Sequence, residues 1–220
     1  MVSLKFLFLF TFLYLCGSIA KTMIKNIILD FGKVLVDYDF KQFIDKIIPN
    51  ESDRHKFSCL VLSPYWNNIF DKEDKPFDEY IADLKQLYPQ YAPYTDAFDK
   101  RYQEIMTGEI PGMCEVLADL KQRGYKLYGL TNWCSKVYEV MQHYPIFKLL
   151  DGQVISCEEH LIKPDAAIYQ RLLEKLNLKA DECVFTDDRE VNIIGAEACG
   201  IKGIVFHNAE QFKQELNTLL

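Results

Sequence analysis

The chain has 220 residues, of which 49% are hydrophobic and 26% charged, and it carries a net charge of −7. That length supports one substantial core with room for an inserted module, and the composition is that of a globular protein, not a disordered or fibrous one. The acidic balance speaks against nucleic acid, which calls for a basic face, but not against small anions, because a local lysine or metal overrides the global charge.

Residues 1–22 read apart from the rest. Lys5 is followed by an apolar run from Phe6 to Cys16, and Ser18-Ile19-Ala20 has the small-x-small form of a cleavage site. The pattern fits a signal peptide and is too short for a membrane span. Met23, just ahead of the first core strand, leaves a second reading: residues 1–22 as an upstream extension of the reading frame. The first reading implies an exported protein, the second a cytoplasmic one. No stable membrane association is expected after residue 22.

Ile24 to Leu29 is the first expected strand, and it ends in Asp30 and the turn Phe31-Gly32-Lys33. From Phe40 to about Thr107 no clear strand appears. Phe40, Phe43, Ile44, Ile47 and Ile48 recur at helical spacing. So do Phe77, Tyr80, Ile81, Leu84, Leu87 and Tyr88, and again Tyr94, Phe98, Tyr102, Ile105 and Met106. Prolines punctuate this stretch, which reads as a small helical module over 40–107. Its aromatics, such as Tyr65, Trp66 and Phe70, suggest a packed lid.

Strands and helices then alternate. Pro111 and Gly112 open a helix that stops at Gly124. Lys126–Leu130 is an expected strand, Cys134–His143 a helix, Gln153–Ser156 a strand, Asp165–Leu176 a helix, Glu182–Thr186 a strand, Val191–Cys199 a helix, Gly203–Phe206 a strand and Ala209–Leu219 the last helix. That alternation predicts an α/β fold with a parallel sheet covered on both faces, built from 23–39 and 108–220.

Seven cysteines show no CxxC pair and no zinc spacing. Cys59, Cys114, Cys157, Cys183 and Cys199 lie in or beside apolar segments and read as reduced core thiols. Cys134, beside Thr131 and Asn132, reads as a reactive thiol or as a small residue opening a helix.

The chemistry gathers at strand ends, where open α/β sheets bind ligands. Asp30 is a candidate nucleophile, since a carboxylate can attack phosphorus to give an acyl phosphate that water hydrolyses. An Asx-turn acid closing a strand is the plainer reading. Asp187 and Asp188 repel each other unless a cation offsets them, and Mg²⁺ suits their oxygens. One of them can equally cap the following helix, and Asn192 is placed to tie down that loop. Thr131 and Asn132 precede a helix and offer a hydroxyl and N–H groups to an anion. Lys163 is held between apolar residues and Pro164, where it can neutralise phosphoryl oxygens. Taken singly, Thr131 also fits an N-cap and Lys163 a solvated loop.

The ordered set of Asp30, Leu130-Thr131-Asn132-Trp133, Ile162-Lys163-Pro164-Asp165 and Phe185-Thr186-Asp187-Asp188 resembles the haloacid dehalogenase superfamily over nearly the whole chain from Ile24. Gly32 and Val34 are similar to the subgroup of sugar-phosphate phosphatases that includes α-glucose-1-phosphate phosphatase. The resemblance implies a Rossmann-like core and a helical cap at 40–107. It also implies a Mg²⁺-dependent phosphomonoesterase working on a small phosphorylated metabolite, a sugar phosphate, through an aspartyl-phosphate. Asp30, Thr131 and Lys163 would be catalytic. Thr131, Asn132 and Lys163 would bind substrate, and Asp30, the Gly32 carbonyl, Asp187 and Asp188 would hold the metal. The alternatives are a 2-haloacid dehalogenase, whose chemistry needs no metal, and a non-catalytic phosphometabolite-binding protein.

One departure stands out. Most phosphatases of the superfamily carry an acid two residues after the nucleophile to protonate the leaving group, and here that position is Gly32. Such an acid contributes about 10²–10⁴-fold. Asp37 would substitute only if its loop folds back. An Asp at position 32 would be excluded if the glycine held a backbone angle other residues avoid.

Overall fold

A computed structural model describes residues 23–62 and 64–220, without the side chains of residues 64–67. The readings made for residues 1–22, and for the side chains of Tyr65 and Trp66, lie outside the described residues. Five strands form the main sheet: β1 (Asn26–Leu29), β4 (Lys126–Thr131), β5 (Gly152–Ile155), β6 (Cys183–Asp187) and β7 (Lys202–Val205), in the order β5-β4-β1-β6-β7. Every neighbouring pair is parallel. From β1 the chain steps outward through β4 to β5, then returns to β6 and β7 on the other side. The direction of travel therefore reverses at β1, and the carboxyl end beside such a switch point is where this class of sheet opens a crevice.

Alternation along the strands covers both faces. Ile27 and Leu29 of β1, Leu127, Val184 and Ile204 point into one apolar cluster, with Met113, Leu117, Leu120, Phe212 and Leu216 from α6 (Met113–Gln122) and α11 (Ala209–Leu219). Ile28, Leu130, Val154 and Phe185 point into the other, with Ile168, Tyr169 and Leu172 of α9 (Ala166–Lys175) and Ile193 and Ala196 of α10 (Glu190–Ala198). β1 is buried along its whole length, as a central parallel strand must be. No helix among the described residues is long and apolar enough to cross a membrane.

The stretch after β1 departs from its expected form at both ends. A two-stranded antiparallel ribbon pairs β2 (Val36–Tyr38) with β3 (Met106–Glu109). Met106 and Thr107, expected within the helical stretch, are therefore strand residues. Their signal is weak because a four-residue edge strand containing Gly108 shows no alternation. Between the two ribbon strands lie α1 (Phe40–Ile47), α2 (Glu51–Val61), α3 (Pro64–Lys72), α4 (Phe77–Leu87) and α5 (Ala92–Lys100). Asp39 caps α1 by accepting from the Gln42 N–H, and Asn50 caps α2 by accepting from Asp53. Phe70 is buried against Phe77, Tyr80 and Phe98, which makes it a core residue of this insert and removes it from any ligand-stacking role.

Smaller differences have local causes. Ser156 opens the short helix α8 (Ser156–Glu159) instead of ending β5. The helix expected from Cys134 begins at Val137 as α7 (Val137–His143). Cys183 and Cys134 are buried, but Cys59 and Cys114 are exposed rather than core thiols. A single cysteine at a helix–solvent boundary has no pattern by which its face can be read.

Candidate active site

The carboxyl edge of the sheet brings together the side chains from β1, β4 and β6 and the lysine that follows α8. Asp30 leaves β1 with its N–H bonded to the Thr186 carbonyl at 3.0 Å, so adjacent strands fix its backbone. Its Oδ1 accepts from the Phe31 N–H at 2.7 Å and pairs with Lys163 Nζ at 2.9 Å. No hydrogen bond reaches Oδ2 among the described residues. Burial pushes the Asp30 carboxyl up to about 7, against the pull of Lys163.

Lys163 is the hub. It is buried, and Nζ donates to the Leu130 carbonyl at 3.0 Å and to Asp187 Oδ2 at 2.6 Å while pairing with Asp30. Burial works against its charge, but Asp30 and Asp187 outweigh it and hold the ammonium above the usual lysine value. A buried cation with two carboxylates and a carbonyl is satisfied in both charge and hydrogen bonds, the condition under which burial is tolerated.

Asp187 is fully buried. Besides Lys163, it accepts from the Arg189 N–H at 2.8 Å and from Asn192 Nδ2 at 2.9 and 3.0 Å. Burial would raise its carboxyl, yet Lys163 and these donors bring it below the ordinary value. Asn192 thus ties down the loop as its position one turn into α10 suggested. Asp188 is the solvent-exposed member of the group, and partial loss of water on the side facing the cluster, with the charge of Asp187, raises its carboxyl. One oxygen each from Asp30, Asp187 and Asp188 lies within 4.8 Å of the others. Three convergent carboxylates are hard oxygen donors and fit Mg²⁺.

Thr131 ends β4 and is buried. Helix α7 starts six residues later, so Thr131 and Asn132 do not sit at a helix N-terminus. Part of the intervening loop is already engaged. The Trp133 N–H bonds Ser156 Oγ at 2.9 Å and the Ser135 N–H bonds Glu73 Oε2 at 2.6 Å. The Asn132 side chain clamps the Lys163 backbone: Oδ1 accepts from the Lys163 N–H at 2.8 Å, and Nδ2 donates to its carbonyl at 3.0 Å.

Gly32 lies beside Tyr38. A Cβ built there would fall 2.8 Å from Tyr38 Cε1. The φ of Gly32 is not in the left-handed region, so the obstacle to a side chain is the tyrosine ring and not the backbone angle. Tyr38 is itself packed edge-on against Phe40 and Trp133 and lies under Lys33 Nζ at 4.5 Å. Asp37 is unsuited to donating a proton. It is paired with Lys33 and accepts from the Tyr38 N–H, and the Lys33 bond brings its carboxyl below the ordinary value. Cys134 is buried, which pushes its thiol far up and leaves it unreactive.

The insert meets this edge through several contacts. Trp133 Nε1 donates to the Tyr102 hydroxyl at 2.9 Å, Lys136 pairs with Asp99 at 2.8 Å, and Ser156 Oγ bonds the Asp71 carbonyl. A cleft of about 600 Å³, lined in part by Lys33, Asp37, Asp188, Phe206 and His207, opens beside the acid cluster.

The family model of haloacid dehalogenase-like hydrolases matches residues 24–200. A sesquiterpene phosphatase of Aspergillus oryzae is 31% identical over 203 residues, which span 90% of this chain and 98% of that protein. A flavin mononucleotide hydrolase of Arabidopsis thaliana is 26% identical over 110 residues, 50% of this chain and 45% of that protein. Among solved structures, a HAD family enzyme of Bacteroides thetaiotaomicron aligns with a TM-score of 0.73 at 17% identity, covering 88% of this chain and 98% of that one. The same enzyme has been solved in complex with magnesium and inorganic phosphate.

Proposed function

This chain belongs to the haloacid dehalogenase-like hydrolases, and we propose that it is a phosphomonoesterase acting on a small phosphorylated metabolite through Asp30. The observation that carries this reading is the buried ammonium of Lys163 between Asp30 and Asp187, next to a carboxylate oxygen, Asp30 Oδ2, that no hydrogen bond from the described residues occupies. Asp30 Oδ2 attacks phosphorus, the bond from phosphorus to the ester oxygen breaks, and the alcohol leaves with that electron pair and a proton. Water then attacks the acyl phosphate at phosphorus, releasing inorganic phosphate and restoring the carboxylate. Lys163 and the Thr131 hydroxyl neutralise and orient phosphoryl oxygens, which in a loose transition state is where most of the catalysis arises. Asn132 acts one step removed, by holding the Lys163 backbone.

Mg²⁺ is the proposed cofactor. Asp30, Asp188 and the Gly32 carbonyl would hold it, with Asp187 as the third carboxylate of the cluster, its oxygens already engaged by Lys163, Asn192 and the Arg189 N–H. When bound it offsets the charge of the carboxylates and the phosphoryl group. The helical stretch from Phe40 is proposed to be a cap that closes on this edge, hinged at the β2–β3 ribbon through which both of its ends pass.

The test is a screen of the purified chain, with Mg²⁺ and with chelator, over para-nitrophenyl phosphate, sugar phosphates and prenyl phosphates. Sugar phosphates are the class implied by the sequence resemblance, and prenyl phosphates follow from the name of the Aspergillus relative. Metal-dependent turnover lost in Asp30→Asn is expected. Halide release from a 2-haloacid in chelator, or phosphate binding with no turnover of any ester, would overturn the proposal.

A further inference from the structure

We propose that Asp71, at the end of α3 in the insert, is the general acid that protonates the leaving oxygen in place of the acid missing at Gly32. The inference rests on the phosphatase reading above. It begins from what docks the end of α3. The Asp71 carbonyl accepts from Ser156 Oγ, the Lys72 carbonyl meets His160 Nδ1 at 3.0 Å, and Glu73 Oε2 accepts from the Ser135 N–H. Three consecutive residues are thus tied to the loops that follow β4 and β5, on the edge that carries Lys163. No hydrogen bond reaches the Asp71 carboxyl among the described residues, and the side chain is half-buried, so it is neither neutralised by a partner nor closed to a ligand.

The charged and titratable groups around it are Lys163 and Arg189, whose charges act on its carboxyl, and Tyr38, Tyr102, Cys134 and Cys157, which feel its own charge. The geometric placement comes from Ser156, whose Oγ bonds the Asp71 carbonyl and the Trp133 backbone two residues past Thr131, so Asp71 is held on the edge where the hub lysine and the Tyr38 ring lie. Burial pushes its carboxyl up to about 7 despite the two cations, so a proton is present near neutral pH. Asp30, Asp187 and Asp188 form the cluster proposed to hold the metal, and the two further acids near this edge are excluded by their partners. Asp37 is ionised on Lys33, and Glu73 holds the Ser135 and Phe77 N–H groups. As the bond from phosphorus to the ester oxygen breaks, the Asp71 proton passes to that oxygen. When water attacks the acyl phosphate, the Asp71 carboxylate takes the proton back.

The experiment compares β-glycerol phosphate, whose alkoxide needs a proton to leave, with para-nitrophenyl phosphate, whose phenoxide leaves without one. Both are measured on the same preparations of wild type, Asp71→Asn and Asp71→Ser in Mg²⁺. The ratio of the two rates does not depend on the fraction of folded enzyme. Expected is a loss of about 10²-fold or more on the alkyl ester with less than about 10-fold on the aryl ester. A ratio unchanged in both variants, with wild type active on both esters, overturns the role of Asp71 and leaves the phosphatase reading standing. A wild type inert on both esters and on the wider screen overturns both.

Discussion

Lys163 holds two carboxylates and a backbone carbonyl at once, and its own backbone is gripped by Asn132. Removing the ammonium leaves Asp30 and Asp187 buried and facing each other, so Lys163→Met is expected to cost about 3–5 kcal/mol of stability, read as a lower denaturant midpoint. Asn132→Ala spares the charges but frees the lysine's backbone. It is expected to lower kcat by about 10–100-fold through misplacement of the hub, with KM changed less, as steady-state kinetics on para-nitrophenyl phosphate would report. An unchanged kcat would mean that Pro164 and packing alone position Lys163. The carboxyl of Asp71, pushed up to about 7 by burial, gives a pH signature. A general acid works in its protonated form, so rates on alkyl phosphates should fall as pH rises through about 7, and Asp71→Asn should lack that limb.

At the level of elements, α10 packs directly on the loop that carries the lysine. A Cβ on Gly195 would lie 2.7 Å from the Pro164 carbonyl oxygen and 3.1 Å from Pro164 Cβ. Backbone cannot swing aside as a side chain can, so Gly195→Ala must part α10 from the Lys163–Pro164 segment. A loss of about 1–3 kcal/mol is expected from overpacking, together with reduced turnover, because the displaced loop bears Lys163. Thermal melting and kinetics on the same protein test this, and a melt equal to wild type would show that the two elements have slack. Gly32 differs in kind. The obstacle there is the Tyr38 ring, so Gly32→Asp should bind Mg²⁺, yet gain on alkyl esters only when combined with Tyr38→Ala.

For the whole molecule, three carboxylates meet at the seam where β1, β6 and the loop after β6 converge. A cation that binds only the folded state stabilises it by mass action, by about 2.7 kcal/mol at a ligand concentration of ~100 Kd. Mg²⁺ is therefore expected to raise the melting temperature by several degrees, and chelator to reverse it. Asp188→Ala, which removes the exposed ligand, should abolish the shift while leaving the apo melting temperature near wild type. An equal shift in that variant would place the cation elsewhere.

Much of this was legible in the chain itself. The strand-and-helix alternation after Pro111, the apolar run before Asp30 and the Asp187-Asp188 pair all follow from local periodicity and chemistry, and each sits at the strand end where it was expected. Local sequence determines which strands exist and what they carry at their ends, because hydrophobic period and turn residues are properties of neighbours. The contacts among distant residues were decided only in three dimensions. That Asn132 clamps Lys163, that Tyr38 fills the space beside Gly32, and that Ser156 docks Asp71 of the insert on the same edge depend on pairs 31, 6 and 85 residues apart in the chain. The same holds for the β2–β3 ribbon, whose strands are too short to announce themselves and exist because they pair with each other.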